Sequence, residues 1–389
     1  MVLSDYSDNS HKSEPHTNNI YTTMKKIKVG ITHGDINGVG YEVILKTFEN
    51  PEMFELCTPL VYGSPKIATY HRKSFDSPTN FYVKDSASKA EDGALTIINC
   101  FGEEEVKIDF GKATAEGGKA ALVALERAVA DLKDGLIDVL VTAPINKHNI
   151  QNDTFHFPGH TEYIEEKAGN GQKALMMLVN GPLRVALLTT HVPLSKVAEA
   201  VTKENLTEKI TTLDLTLRRD FMIDNPRIAV LSLNPHCGDH GVIGTEEEEI
   251  ITPTINELFK QGIRCMGPYA ADGFFGSGNY THYDAILAMY HDQGLAPFKT
   301  LAMDSGVNYT AGLPVVRTSP DHGVAYDIAG KGEANETSFR QAIYTAIDIV
   351  RNRMKYDEAH KHPLQKQYYE KRDDSDKLKL DQVTEEDTL

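Results

Sequence analysis

The chain contains no tryptophan, only four cysteines, and fewer basic than acidic residues. Cys57, Cys100, Cys237 and Cys265 lie far apart without a CxxC pair, so neither a disulfide framework nor a cysteine zinc site is indicated. They read as reduced thiols. No apolar run approaches the roughly 20 residues of a membrane-spanning helix, and the N-terminus lacks a basic stretch followed by an apolar one. The expectation is a cytoplasmic protein. With 56 acidic against 40 basic residues the formal net charge is -16, which argues against a nucleic-acid backbone or an anionic membrane as partner. Small molecules or proteins fit better. The glycine run THGDINGVGYEVI has neither GxGxxG spacing nor a following GK[ST], so a Rossmann fingerprint and a Walker loop are both missing. Gly34, Gly38 and Gly40 read as a tight connection into a helix, with Asp35 as its cap.

What is present is a chain of 389 residues with 40% hydrophobic content, enough for two domains and a sizeable core. Residues 1–23 are rich in Ser, Asp, Asn and His and poor in aliphatics, which predicts a disordered leader. Ile27, Val29 and Ile31 alternate as a first strand. Strand-like runs (IDVLVTAP, RVALLTTH, RIAVLSLNPH, DAILAMYHD) then alternate with helical patterns (GKAALVALERAVADLKDG, TSFRQAIYTAIDIVRNR). That order predicts an α/β fold, a parallel or mixed sheet covered by helices. Residues 357–389 read as a charged tail.

Three strand-like runs stop in a histidine beside a proline, glycine or aspartate: His191, His236 and His291. Each alone could merely cap a strand by bonding backbone. Three in one topological position instead suit a divalent metal site with open positions for substrate. His240 and His282 lack that position and read as structural or exposed. A basic set follows, with Lys299 after a predicted HDQGL turn, Asn308 in DSGVNYTAG and Arg317 ending GLPVVRTS. An arginine fork and a lysine point charge suit a small anionic substrate. In FPGHTEY, His160 and Thr161 precede a helical pattern, where backbone amides and a hydroxyl can hold an anion.

The motifs GDINGVGYE, TAPINK, FPGHTEY, TTHVPL, NPHCGDHGVIGTEE, GPYAADGFF, YHDQGLAPFK and GVNYTAGLPVVRTSPDHGVAYDIAGKG together resemble the 4-hydroxythreonine-4-phosphate dehydrogenase family over about Lys28 to Arg353. The resemblance implies two α/β/α domains flanking a cleft, as in isocitrate and isopropylmalate dehydrogenases. The cofactor side would comprise residues 24–147 plus 300–356, and residues 148–299 the metal, substrate and dimerisation side. It implies a homodimer with the active site at the interface, a divalent metal (zinc first, magnesium or cobalt next) on His191, His236 and His291, and NAD. Substrate contacts carry over to His160, Thr161, Lys299, Asn308 and Arg317. Asp272, Asp292 and Lys299 are candidate catalytic groups, and His322, Gly323 and Asp327 of the adenine-loop-like DHGVAYD are candidates for cofactor contact.

The implied reaction is NAD-dependent oxidation of 4-(phosphooxy)-L-threonine followed by decarboxylation, in pyridoxal phosphate (vitamin B6) biosynthesis. Oxidation of 4-phospho-D-threonate or 4-phospho-D-erythronate is the alternative, and a silent small-molecule or metal-binding protein a third. Ile36, Asn37 and Tyr41 depart from the family's first glycine motif, which implies a somewhat different start to the first helix. Cys237 stands where alanine is common and reads as small-residue packing.

Overall fold

The computed structural model describes residues 26–101, 106–152 and 155–362. The expected leader and residues 363–389 of the expected tail lie outside the described residues.

The N-terminal part runs β1 (Ile27–Thr32), α1 (Gly40–Thr47), α2 (Met53–Leu56), β2 (Cys57–Gly63), α3 (Pro65–Ser74), β3 (Phe81–Lys84), β4 (Leu95–Asn99), α4 (Ala115–Lys133) and β5 (Val139–Thr142). Next come α5 (His160–Ala168), β6 (Leu175–Asn180), β7 (Leu183–Leu187), α6 (Val197–Ala200), α7 (Lys203–Arg219), β8 (Ile228–Leu231), α8 (Thr252–Lys260), β9 (Cys265–Tyr269), α9 (Ala271–Gly276) and β10 (Ala285–Ala288). The chain then closes with α10 (His291–Ala302), β11 (Val307–Ala311), β12 (Arg317–Pro320) and α11 (Thr337–His360).

All the strands join one 12-stranded sheet in the order β3-β4-β2-β1-β5-β12-β11-β6-β7-β10-β8-β9. The two wings are parallel, while β11 runs antiparallel to both β12 and β6, and β6 antiparallel to β7. Wing strands such as β2 and β5 are buried on both faces, as parallel strands covered by helices must be. The sheet changes direction at its centre, where the C-terminal ends of β5, β7 and β10 open a crevice of the kind that binds ligands in open α/β sheets.

The longer helices follow from periodicity and caps. In α4 the Thr114 hydroxyl accepts from the Gly117 N–H, and Ala120, Ala124, Leu125, Ala128 and Leu132 form the buried stripe. In α11, Phe339, Ala342, Ile343, Ala346, Ile347 and Val350 are buried. Arg353, near its end, donates to Asp220 at 2.7 Å and to the Tyr309 hydroxyl at 2.9 Å. The helix runs on to His360, so the expected tail boundary at 357 falls inside it.

Asp35 is not a helix cap. The residue before α1 is Val39, without a side-chain cap, and the Asp35 carboxylate accepts from the Asn37 N–H, the Asn149 amide (2.8 Å) and the Tyr326 hydroxyl (2.7 Å). It ties three loops together. Asn37 donates to Lys112 and Thr114. Tyr41 stacks on His33 at 4.9 Å and its hydroxyl accepts from the Ser64 N–H. The residues that depart from the family motif therefore build the scaffold under the first loop.

His33 and His71 are fully buried beneath that loop, and burial pushes their pKa values down to about 3 and about 4. Both are neutral when folded and take up protons near 6.5 once unfolded. The unfolded state then binds more protons between pH 6.5 and about 4, so stability falls as pH drops through that window. Two such groups contribute a slope of up to about 2.7 kcal/mol per pH unit. Thermal melts at pH 7 and pH 5 should show a lower Tm at pH 5, and a His71→Gln variant should lose part of that difference.

Candidate active site

The central crevice is a cavity of about 290 Å³ that collects side chains from six elements. The β5 end brings Thr142 and Lys147, the start of α5 brings His160, Thr161 and Glu162, and His191 follows β7. His291 and Lys299 come from α10, Asn308 from β11, and Arg317 with Ser319 through Gly323 from β12 and the turn after it.

Arg317 is the most buried charged residue of this set. It is 3% exposed, with Nη2 and Nε on the Thr142 hydroxyl at 2.7 and 3.1 Å and Nη1 on Thr310 at 3.2 Å. No carboxylate among the described residues pairs with it. Burial lowers its pKa to about 10, against an attraction from Glu162. A buried cation bonded only to neutral hydroxyls is costly, and an incoming anion would offset that cost. Around it, His160 Nε2 and Asn308 Oδ1 are buried without hydrogen-bond partners. His160 is held well below its ordinary pKa by burial and by the charges of Arg317 and Lys147.

Two of the four cavity imidazoles, His191 and His291, lie with ring centroids 6.0 Å apart. His191 Nδ1 lies 3.2 Å from Glu162 Oε1, and His291 Nδ1 lies 2.6 Å from Asp292 Oδ1. Carboxylates on both Nδ1 atoms favour the tautomer that carries its lone pair on Nε2, the form able to ligate a metal. His191 Nε2 meets the Lys147 ammonium at 3.1 Å. Burial pushes the Glu162 carboxyl up, but the His191 hydrogen bond and Lys147 outweigh it and leave the group below its usual range.

Not every expected residue arrives in this cavity. His236 is exposed and lies outside the lining, and among the described residues no three metal-ligating side chains gather in a single chain. The reason is local. From His236 to Gly241 the backbone is left-handed throughout, which costs roughly 1–2 kcal/mol per non-glycine residue. The chain just before the segment is fixed by buried Glu247, which accepts from the N–H groups of Leu233 and Asn234 at 2.8 and 2.7 Å. Asp272, in the first turn of α9, and Asp327, in the turn after β12, are exposed and also outside the lining. Cys237 is half-buried, its thiol reaching the Pro268 carbonyl.

The HDQGL segment is not a turn. His291, Asp292 and Gly294 form the first turn of α10, and Lys299 lies two turns further along the same helix. A Cβ on Gly294 would come within 2.9 Å of Leu187 and Val185, so the glycine lets the helix sit close on the sheet and holds His291 at the rim. Lys299 pairs with Asp321 at 3.2 Å. The residue-level reading missed Lys147, Glu162 and Asp321, although all three stand in the quoted motifs TAPINK, FPGHTEY and TSPDHG.

Comparison with known proteins decides the family. The family described as pyridoxal phosphate biosynthetic protein PdxA matches residues 55–346. The chain belongs to the PdxA family. A 4-hydroxythreonine-4-phosphate dehydrogenase of Bacteroides thetaiotaomicron is 64% identical over 93% of this chain and 99% of its own length. A relative from Oceanobacillus iheyensis, provisionally named D-threonate 4-phosphate dehydrogenase, is 38% identical over 84% of this chain and 98% of its own. Among solved structures, a 4-hydroxythreonine-4-phosphate dehydrogenase from Klebsiella pneumoniae superposes with a TM-score of 0.72 at 31% identity, covering 85% of this chain and 99% of that one. The PdxA fold is thus shared across nearly the whole described chain. No helix among the described residues is long and apolar enough to cross a membrane.

Proposed function

We propose that the chain is a cytoplasmic NAD-dependent oxidoreductase that converts 4-(phosphooxy)-L-threonine to 2-amino-3-oxo-4-(phosphooxy)butanoate in pyridoxal phosphate biosynthesis. That product loses carbon dioxide to give 3-amino-2-oxopropyl phosphate. The observation that carries the reading is Arg317, a buried guanidinium that no carboxylate among the described residues pairs with, in the same cavity as the imidazoles of His191 and His291.

Arg317 and Lys299 supply the charge for phosphate or carboxylate. His160 and Thr161 at the start of α5 orient the other end, with the helix N-terminus favouring an anion. Asn308 Oδ1 and Glu162 Oε2 are buried acceptors without partners, and a substrate ammonium offers three donors to satisfy them. That favours the amino acid over the hydroxy acid. Oxidation of 4-phospho-D-threonate or 4-phospho-D-erythronate is the second reading, favoured by the name of the Oceanobacillus relative.

PdxA membership implies NAD(P) and a divalent metal; NAD, and zinc before magnesium or cobalt, are the finer assignments. The imidazoles of His191 and His291 fit a metal through Nε2, and His236 of a second copy is the candidate for the third ligand, which makes a homodimer part of the proposal. When bound, the metal would acidify the substrate hydroxyl. His322 and Gly323 line the cavity where the nicotinamide must approach, with Asp327 further along the same segment. The cofactor side is residues 24–147 plus 300–356, facing residues 148–299.

Protein stripped of metal should form no NADH from 4-(phosphooxy)-L-threonine and should regain activity with zinc, magnesium or cobalt. Full activity in the stripped state would count against the site.

A further inference from the structure

The cavity holds a carboxylate that the reading above leaves unused. Asp321 follows β12 in the turn SPDHG. Its side chain is 9% exposed and lines the cavity together with His291, Asn308 and Arg317. One oxygen, Oδ1, is held by the Lys299 ammonium at 3.2 Å, while Oδ2 is buried with no partner among the described residues. The backbone beneath it is fixed: the Asp321 N–H donates to the Ser338 hydroxyl at 3.1 Å and to the Gly306 carbonyl at 3.2 Å. A carboxylate in the wall of a substrate cavity, anchored through one oxygen and with the other buried and unpartnered among the described residues, is placed to serve as a general base.

We infer that Asp321 accepts the proton of the substrate hydroxyl during oxidation, with Lys299 as the positioning residue that orients its carboxylate. This rests on the dehydrogenase reading proposed above. In the step, the substrate O–H bond breaks and its proton passes to Asp321 Oδ2. The oxygen's electron pair forms the C=O bond, and the C–H bond electrons leave with the hydrogen as hydride to NAD, which becomes NADH. The proton on Asp321 is then released to solvent, so the sum is hydroxy acid plus NAD giving keto acid, NADH and one proton. Asp272, exposed on α9, lies outside the cavity that Asp321 lines.

Burial raises the Asp321 pKa, against the opposing pull of Lys299 and His291 on α10 and of His322 in its own turn. From α11 the group facing this turn is the uncharged Ser338 hydroxyl. The base form is the active one, so the rate falls as pH drops through the raised value.

The test is steady-state NADH formation by the metal-loaded enzyme and its Asp321→Asn variant across pH, with 4-(phosphooxy)-L-threonine as substrate. The variant should lose roughly 10²- to 10⁴-fold in kcat, keep KM and zinc affinity within about threefold, and lose the acid limb of the pH profile. Formate should restore part of the rate of Asp321→Ala, because a small carboxylate can occupy the vacated space. An active wild type whose Asp321→Asn variant keeps its kcat, or loses rate with the acid limb intact, overturns the assignment. A wild type silent with this substrate and with 4-phospho-D-threonate overturns the functional reading, and this inference falls with it.

Discussion

Replacing Arg317 with methionine should lower kcat/KM by roughly 10²- to 10⁴-fold, the equivalent of about 3–5 kcal/mol for removing one partner of a buried charge pair. The same change should leave the ligand-free protein as heat-stable as the parent, or more so. The two effects separate because the guanidinium is buried against the Thr142 and Thr310 hydroxyls and no carboxylate among the described residues pairs with it. Methionine removes an uncompensated buried charge, and the loss of neutral hydrogen bonds, about 1 kcal/mol each, works against that gain. A site that carries a cost until substrate arrives is a common compromise between stability and activity. Activity is read as NADH formation and stability as Tm without ligands. A Tm many degrees below the parent would show that Arg317 serves the fold rather than the substrate.

The second large effect concerns His236 and His291. Each alanine variant alone should be nearly inactive and should bind zinc far more weakly than the parent. A mixture of the two, unfolded and refolded together, should regain about a quarter of parental activity. In a mixed dimer one site receives His291 from one chain and His236 from the other, while the second site lacks both. Random pairing makes half the dimers mixed, each with one working site. The motivation is that His191 and His291 line one cavity while His236 stands exposed on a left-handed segment outside it. No recovery on mixing, with dimers confirmed by sedimentation, would place all three ligands in one chain.

Much of the architecture was legible in the sequence because its signals are local. Alternation at Ile27, Val29 and Ile31 marks β1, and the alanine and leucine spacing of α4 marks a buried helix face. His191 and His291 could be picked out for the same reason, since strand ends in an open sheet deliver side chains to one rim, whereas Lys299 lies inside α10 and Arg317 opens β12. Three features were not legible. HDQGL looks like a turn because glycine weakens helix propensity, yet packing of Gly294 on Val185 and Leu187 overrides that preference. Asp35 looks like a cap, but its partners Asn149 and Tyr326 are far away in sequence. The separation of His236 from His191 and His291 depends on a left-handed backbone that follows the chain fixed by Glu247, which no spacing rule reveals. Lys147, Glu162 and Asp321 were in plain view within the motifs, but only the folded cavity distinguishes them from surface charges.

The measurement that tests the account most directly is NADH formation by metal-loaded protein with 4-(phosphooxy)-L-threonine and 4-phospho-D-threonate side by side. The account predicts metal-dependent turnover with kcat/KM favouring the amino acid, because unpartnered acceptors at Asn308 and Glu162 await an ammonium. Preference for the threonate would contradict the substrate assignment, and silence with both would contradict the dehydrogenase reading itself.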